Sequence, residues 1–197
     1  DLRRVLGWFS FAIRISSTKI KKNEIPDVIW ISSPSLVSFL GAQVLAKRTG
    51  AKLVFEVRDI WPQTLINLGG FSARHPFIRF LKYVEHRALR TSDHIITTMP
   101  GGPDYVAREL GQIGKATWVP NVVSETAIEQ IKLLFNSNIP SIQFSKDRFL
   151  VGYTGTLGLA NSIDTMIDAA IILKDNHSIG FVIMGTGHLL THLKTMR

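Results

Sequence analysis

Short apolar runs that stop at Ser, Gly or Pro alternate with longer stretches of helical periodicity, and this alternation most restricts what the chain can fold into. Val28, Ile29, Trp30 and Ile31 run without interruption into Ser32, Ser33 and Pro34, the pattern of a buried strand followed by a turn. Residues 36–48 then carry Leu36, Leu40 and Val44 at helical spacing until Gly50, and Pro34 suits the first turn of that helix. Leu53, Val54, Phe55 and Val57 read as a second strand, and a helix is expected over about 72–90 with Phe77, Leu81, Val84 and Ala88 on one face. Ile95 and Ile96 mark a third strand, and 117–119 a fourth. Strands and helices at this spacing predict an α/β fold with a parallel sheet of right-handed βαβ units, which places ligands at the strand C-terminal ends.

The alternation lapses between 121 and 147, apart from a helical piece at 128–135. It resumes with a strand at 149–153, a helix at 162–174 and a strand at 181–184. The expected division is one α/β domain over 1–122, a connection over 123–147, and the start of a second α/β domain over 148–197.

Composition narrows the class. At 45% hydrophobic and 19% charged residues the chain can bury a core, which sets disorder aside. It has no cysteine, which excludes disulfides and thiolate metal sites. Lys and Arg number 23 against 15 Asp and Glu, a net charge of +8 that favours anionic partners. The apolar stretch 5–15 is closed by Arg14, Lys19, Lys21 and Lys22, well short of the ~20 residues of a membrane span, and no small-residue cleavage site follows it. It reads as an amphipathic helix, packed on its own domain's sheet or lying on an anionic membrane. His75, His86 and His188 lack obvious partners, and Arg74, Arg79, Lys82, Arg87 and Arg90 read as a solvated helix face.

Two stretches carry chemistry. Gly152-Tyr153-Thr154-Gly155-Thr156-Leu157-Gly158 lies where a strand gives way to a helix, so its main-chain N–H groups can approach an anion beside a positive helix end. Its spacing is neither the dinucleotide fingerprint nor the phosphate loop of nucleotide triphosphatases. The alternative is a tight turn before a helix capped by Asn161, with Asp164 completing the start. Glu56-Val57-Arg58-Asp59-Ile60-Trp61-Pro62 runs off the end of the second strand and gathers three charges at a ligand-facing edge. Those charges form a structural ion pair of Arg58 with Asp59 or Glu56, or they act on substrate, Asp59 at a hydroxyl and Arg58 at a phosphate or sugar.

Taken in order, S-S-P-S at Ser32 to Ser35, F-E-V-R-D-I-W-P at Phe55 to Pro62, V-P-N at Val119 to Asn121 and Y-T-G-T-L-G at Tyr153 to Gly158 resemble the large retaining glycosyltransferase family 4. Within that family the chain is most similar to the bacterial polysaccharide branch that transfers amino sugars such as N-acetyl-L-fucosamine in O-antigen or capsule assembly. The resemblance covers about 2–193. It implies a GT-B architecture, two Rossmann-like domains with parallel sheets, the acceptor on the first and the donor diphosphate on the second. It further implies that Thr154, Gly155, Thr156, Leu157 and Gly158 bind the donor and that Glu56, Arg58 and Asp59 are catalytic. Arg58 and Asp59 stand where many relatives have a His-containing motif, and Ser33, Pro34 and Trp61 stand on the acceptor side.

The implied donor is a UDP-linked nucleotide sugar and the implied acceptor a lipid-linked saccharide, with no cofactor, no metal and no nucleic acid. The implied location is cytoplasmic and peripheral, on the inner, anionic face of the cell membrane. The chain departs from the family after V-P-N, where Val122, Val123 and Ser124 replace the usual Gly and Asp. The family's downstream paired glutamates and basic donor residues are expected beyond Arg197, and its first glycine-rich loop before Asp1. The sequence thus reads as truncated at both ends, and the segment alone is expected to be inactive and poorly soluble. A sugar-nucleotide epimerase of similar fold is the alternative, with an NAD-dependent oxidoreductase less favoured for want of its fingerprint.

Overall fold

A computed structural model describes residues 2–33, 35–135 and 148–196. The chain divides into two compact units, Asp1–Val122 and Val123–Arg197, and each is described by itself.

The first unit opens with helix α1 (Leu2–Ser17), then β1 (Val28–Ser32), α2 (Leu36–Thr49) and β2 (Lys52–Val57). A short α3 (Gln63–Asn67), α4 (Pro76–Thr91), β3 (His94–Thr97), α5 (Gly102–Leu110) and β4 (Ala116–Trp118) complete it. The four strands make one parallel sheet in the order β1-β2-β3-β4, with Ile31 beside Phe55 and Phe55 beside Ile95. The α/β class and the parallel sheet expected from the sequence are both present.

Strand pleating sends Leu53, Phe55 and Val57 into the core, where they meet Val37, Phe39 and Ala42 of α2 and Leu81, Val84 and Ala88 of α4. The Phe39 and Phe55 rings pack edge to face at 5.5 Å. The opposite face of the sheet is less protected, and Val28 and Trp30 remain 51% and 53% exposed.

The structure amends several expectations. The helix expected over 72–90 begins at Pro76, because proline favours the first helical position and His75 accepts the Phe77 N–H through Nδ1 at 3.2 Å. His75 therefore has a partner, and it also packs edge-on against Phe71. Helices α3 and α5 are additional to the sequence reading. Arg87, expected on the solvated face, is half-buried and bonded to Gln43. Helix α1 packs on α2 rather than directly on the sheet: a Cβ on Gly41 would lie 2.2 Å from the Ala12 carbonyl oxygen, so the crossing needs glycine.

The second unit holds α6 (Glu125–Phe135), β5 (Phe149–Thr154), α7 (Ile163–Ile172), β6 (Ile179–Met184) and α8 (Leu190–Thr195). β5 and β6 pair in parallel over their full length. Leu157, Ile163 and Leu193 form a small core, flanked by Tyr153, Ile167 and Ile183. Within the connection expected over 123–147, residues 136–147 lie outside the described residues.

Candidate functional site

Parallel strands end together, so the C-terminal edge of the first sheet collects the loops that follow β1, β2 and β3. Ser33 organises this edge. It is 2% exposed, and its Oγ accepts the N–H groups of Arg58 at 3.0 Å and Asp59 at 3.3 Å. Its own N–H donates to the Glu56 carbonyl oxygen at 2.9 Å. The hydroxyl thus meets two main-chain donors where the ladder ends, and it shapes the Arg58-Asp59 turn from within. Pro34 lies outside the described residues.

Arg58 and Asp59 both project outward from this turn and are exposed. Of the two readings the sequence left open, the structural ion pair of Arg58 with Asp59 or Glu56 is not found among the described residues, where the salt bridges seen include Lys21–Glu24 and Lys52–Asp93. Glu56 points to the other side of the sheet from Val57 and takes neutral donors instead, the Ser32 hydroxyl and, at 3.4 Å, the Trp30 indole. The physical reason is exposure: water solvates both charges at the strand end, so neither needs an ionic partner. Arg58 and Asp59 are left available to a ligand.

Trp61 is half-buried and packs edge-on against Trp8 of α1, with ring centroids 5.8 Å apart. The ring packs against the edge of the core, which anchors the loop after β2 to α1. Pro62, joined to it by a cis peptide bond, is buried.

In the second unit, the glycine-rich loop leaves the end of β5 and is braced by the loop leaving β6. Gly155 N–H donates to Met184 O at 3.0 Å, Leu157 N–H to Thr186 O at 2.9 Å, and Gly158 N–H to Thr156 O at 3.1 Å. Three amides expected to face an anion are therefore engaged within the protein, leaving Thr156 N–H and its hydroxyl at the exposed crest. Leu157 is 2% exposed and belongs to the core of its unit, so its side chain positions the loop rather than touching solvent.

The two loops touch backbone to backbone. A Cβ on Gly185 would stand 1.9 Å from the Gly155 carbonyl oxygen, and one on Gly187 2.1 Å from that of Leu157. Gly185 and Gly187 are therefore packing requirements of the first loop.

The loop does not enter a helix directly. A three-residue 3-10 turn, Leu159–Asn161, intervenes before α7. Asn161 does not cap α7, because its Nδ2 donates to the Thr156 carbonyl oxygen at 2.7 Å. Ser162 takes the N-cap position at φ 44 and ψ 49 with no side-chain capping bond. A non-glycine residue there is strained.

A group that sequence reading missed lies between α4 and α5. Tyr105 Oη donates to Glu85 Oε1 at 2.6 Å, in a cavity of about 280 Å³ also lined by Gln63, Lys82, His86 and Glu109. Burial pushes the Glu85 carboxyl up to about 7, with Glu109 adding to the effect and the Tyr105 hydrogen bond and Lys82 opposing it. Burial and the Glu85 bond raise the Tyr105 hydroxyl above its ordinary range.

No helix among the described residues is long and apolar enough to cross a membrane. No group of three or more His, Asp or Glu among them is placed to hold a metal ion. A search of curated proteins finds no match. The family model described as a glycosyl transferase 4-like domain matches residues 2–122, the segment that contains Ser33, Glu56, Arg58, Asp59 and Trp61. The chain therefore belongs to the glycosyltransferase 4-like family, and its first unit is a glycosyltransferase domain.

Proposed function

We propose that the protein is a retaining glycosyltransferase that moves a sugar from a UDP-linked donor to a lipid-linked saccharide during surface polysaccharide assembly. The observation that carries this reading is the family match over residues 2–122, joined to the sequence Y-T-G-T-L-G at the end of β5. Thr156 offers an N–H and a hydroxyl to the donor diphosphate, while Gly155 and Gly158 keep the loop low enough for phosphate to approach. Arg58 adds positive charge for a phosphate or sugar oxygen, and Asp59 accepts the proton of the acceptor hydroxyl. Ser33 holds the Arg58-Asp59 turn in place, and Glu56 acts at the same strand end through its carboxylate.

An anionic membrane surface is the proposed meeting place with the lipid-linked acceptor, on the cytoplasmic side. Helix α1 supports it by combining Arg3, Arg4 and Arg14 with Leu6, Phe11 and Ile13, which are 59%, 53% and 65% exposed. The transferase reading is tested by incubating the protein with nucleotide diphosphate sugars in the presence and absence of a polyprenyl-diphosphate-linked saccharide. Sugar transfer that requires the acceptor is expected. Conversion of the donor without any acceptor indicates an epimerase and overturns the proposal.

A further inference from the structure

The end of the first sheet remote from Arg58 and Asp59 carries a second charged cavity that the transferase reading leaves unused. It measures about 540 Å³ and lies where α2 and α4 finish and β2 begins, with Lys47, Lys52, Arg87 and Asp93 as its charged lining. Three cations therefore face one carboxylate.

Two of those cations are held from the side. Thr91 Oγ1 donates to the Arg87 carbonyl oxygen at 2.8 Å, Gln43 Nε2 donates to Thr91 Oγ1 at 2.5 Å, and Arg87 Nε donates to Gln43 Oε1 at 2.7 Å. Gln43 is 6% exposed, so this ring of bonds is anchored in the protein. It engages the guanidinium through Nε and leaves both Nη groups to donate elsewhere. Lys52 Nζ is 2.9 Å from Asp93 Oδ1, and the other oxygen of Asp93 accepts the Leu53 N–H at 2.9 Å. That pairing raises the Lys52 pKa, and the Leu53 N–H followed by Lys52 lowers that of Asp93.

Cations near helix C-termini ordinarily complement the free carbonyl groups, and Lys47 in the last turn of α2 fits that role. Arg87 and Lys52 do not, since their bonds go to Gln43 and Asp93. The terminal carbonyls are also served by other donors: Gly50 N–H reaches Ala46 O, Thr49 Oγ1 reaches Leu45 O, and the Ser92 hydroxyl reaches Ala88 O.

We propose that this cavity binds a phosphate group, with the Arg87 Nη pair as a fork and the Lys47 and Lys52 ammonium groups completing the charge. The site is independent of the donor loop. Its ligand is a free phosphate or phosphate ester, or the phosphate of a lipid headgroup.

Thermal unfolding of the chain in inorganic phosphate, against sodium chloride at matched ionic strength, tests the first source, because a ligand bound to the folded state raises the midpoint. Sedimentation with phosphatidylcholine vesicles, with and without phosphatidylglycerol, tests the second. The variants are Arg87→Gln, Lys47→Ala and, as a control on the same helix, Arg79→Gln. A rise specific to phosphate that falls by about tenfold in apparent affinity in Arg87→Gln and weakens in Lys47→Ala supports a free phosphate site. Binding to phosphatidylglycerol vesicles that both variants lose and Arg79→Gln keeps supports the headgroup. Lys47 is exposed and outside the hydrogen-bonded ring, so Lys47→Ala decides the matter if Arg87→Gln fails to fold. Absence of both responses, or equal responses in wild type, Arg87→Gln and Lys47→Ala, overturns the proposal.

Discussion

Glu85 and Ser33 show how single polar side chains govern this molecule from inside. Because the folded Glu85 pKa is raised from 4.5 to about 7, the folded state binds the proton more tightly than the unfolded chain does. The corresponding stability is fully present below about pH 4.5 and is lost as pH rises through about 7. The loss amounts to at most ~3 kcal/mol, reduced by residual solvent access. Urea denaturation from pH 5 to 8 is expected to show this decline, and Glu85→Gln is expected to flatten it and be more stable at pH 8. For Ser33→Ala, two main-chain donors lose their acceptor, at a cost of about 1–3 kcal/mol. Faster amide exchange at Arg58 and Asp59 would accompany the drop, whereas unchanged exchange would show that Ser33 does not hold the turn. Neither role was legible in the sequence: Ser33 stood out only as part of S-S-P-S, and Glu85 and Tyr105 meet across 20 residues and two helices, which no local pattern reveals.

At the scale of elements, close backbone contacts explain what sequence periodicity could not. The strands were readable because central parallel strands are apolar runs, and β1 and β2 fall where Val28 to Ile31 and Leu53 to Val57 stand. Helix α5 escaped notice because only Val106 and Gly102 are buried along it, so its apolar stripe is thin, although Pro103 near its start and Gly111 after its end mark both termini. The roles of Gly41, Gly185 and Gly187 depend on contacts with distant carbonyl groups and leave no trace in spacing. Gly41→Ala forces Cβ against the Ala12 carbonyl and is expected to lift α1 from α2, costing about 1–3 kcal/mol. Trp8 stacks near Phe77 and Trp61, so its emission should shift to longer wavelength; an unshifted spectrum with unchanged stability would refute the close crossing. Gly185→Ala should disrupt the bracing of the donor loop and, in a transfer assay, raise the donor KM more than it lowers kcat.

Across the whole chain, the fold class and the family were legible because the order of several weak motifs was informative where each alone was not. What the sequence could not disclose was how the glycine-rich loop spends its amides, since that follows from the loop after β6 lying against it. Thr156 is the exposed donor at that crest, and in the first unit the exposed charges are those of the Arg58-Asp59 turn. Hydrogen–deuterium exchange of the protein with and without a saturating UDP-linked N-acetylhexosamine tests this most directly. Protection is expected in the peptide spanning 153–161, with little change at 43–53. Saturable binding that leaves 153–161 unprotected would contradict the central claim.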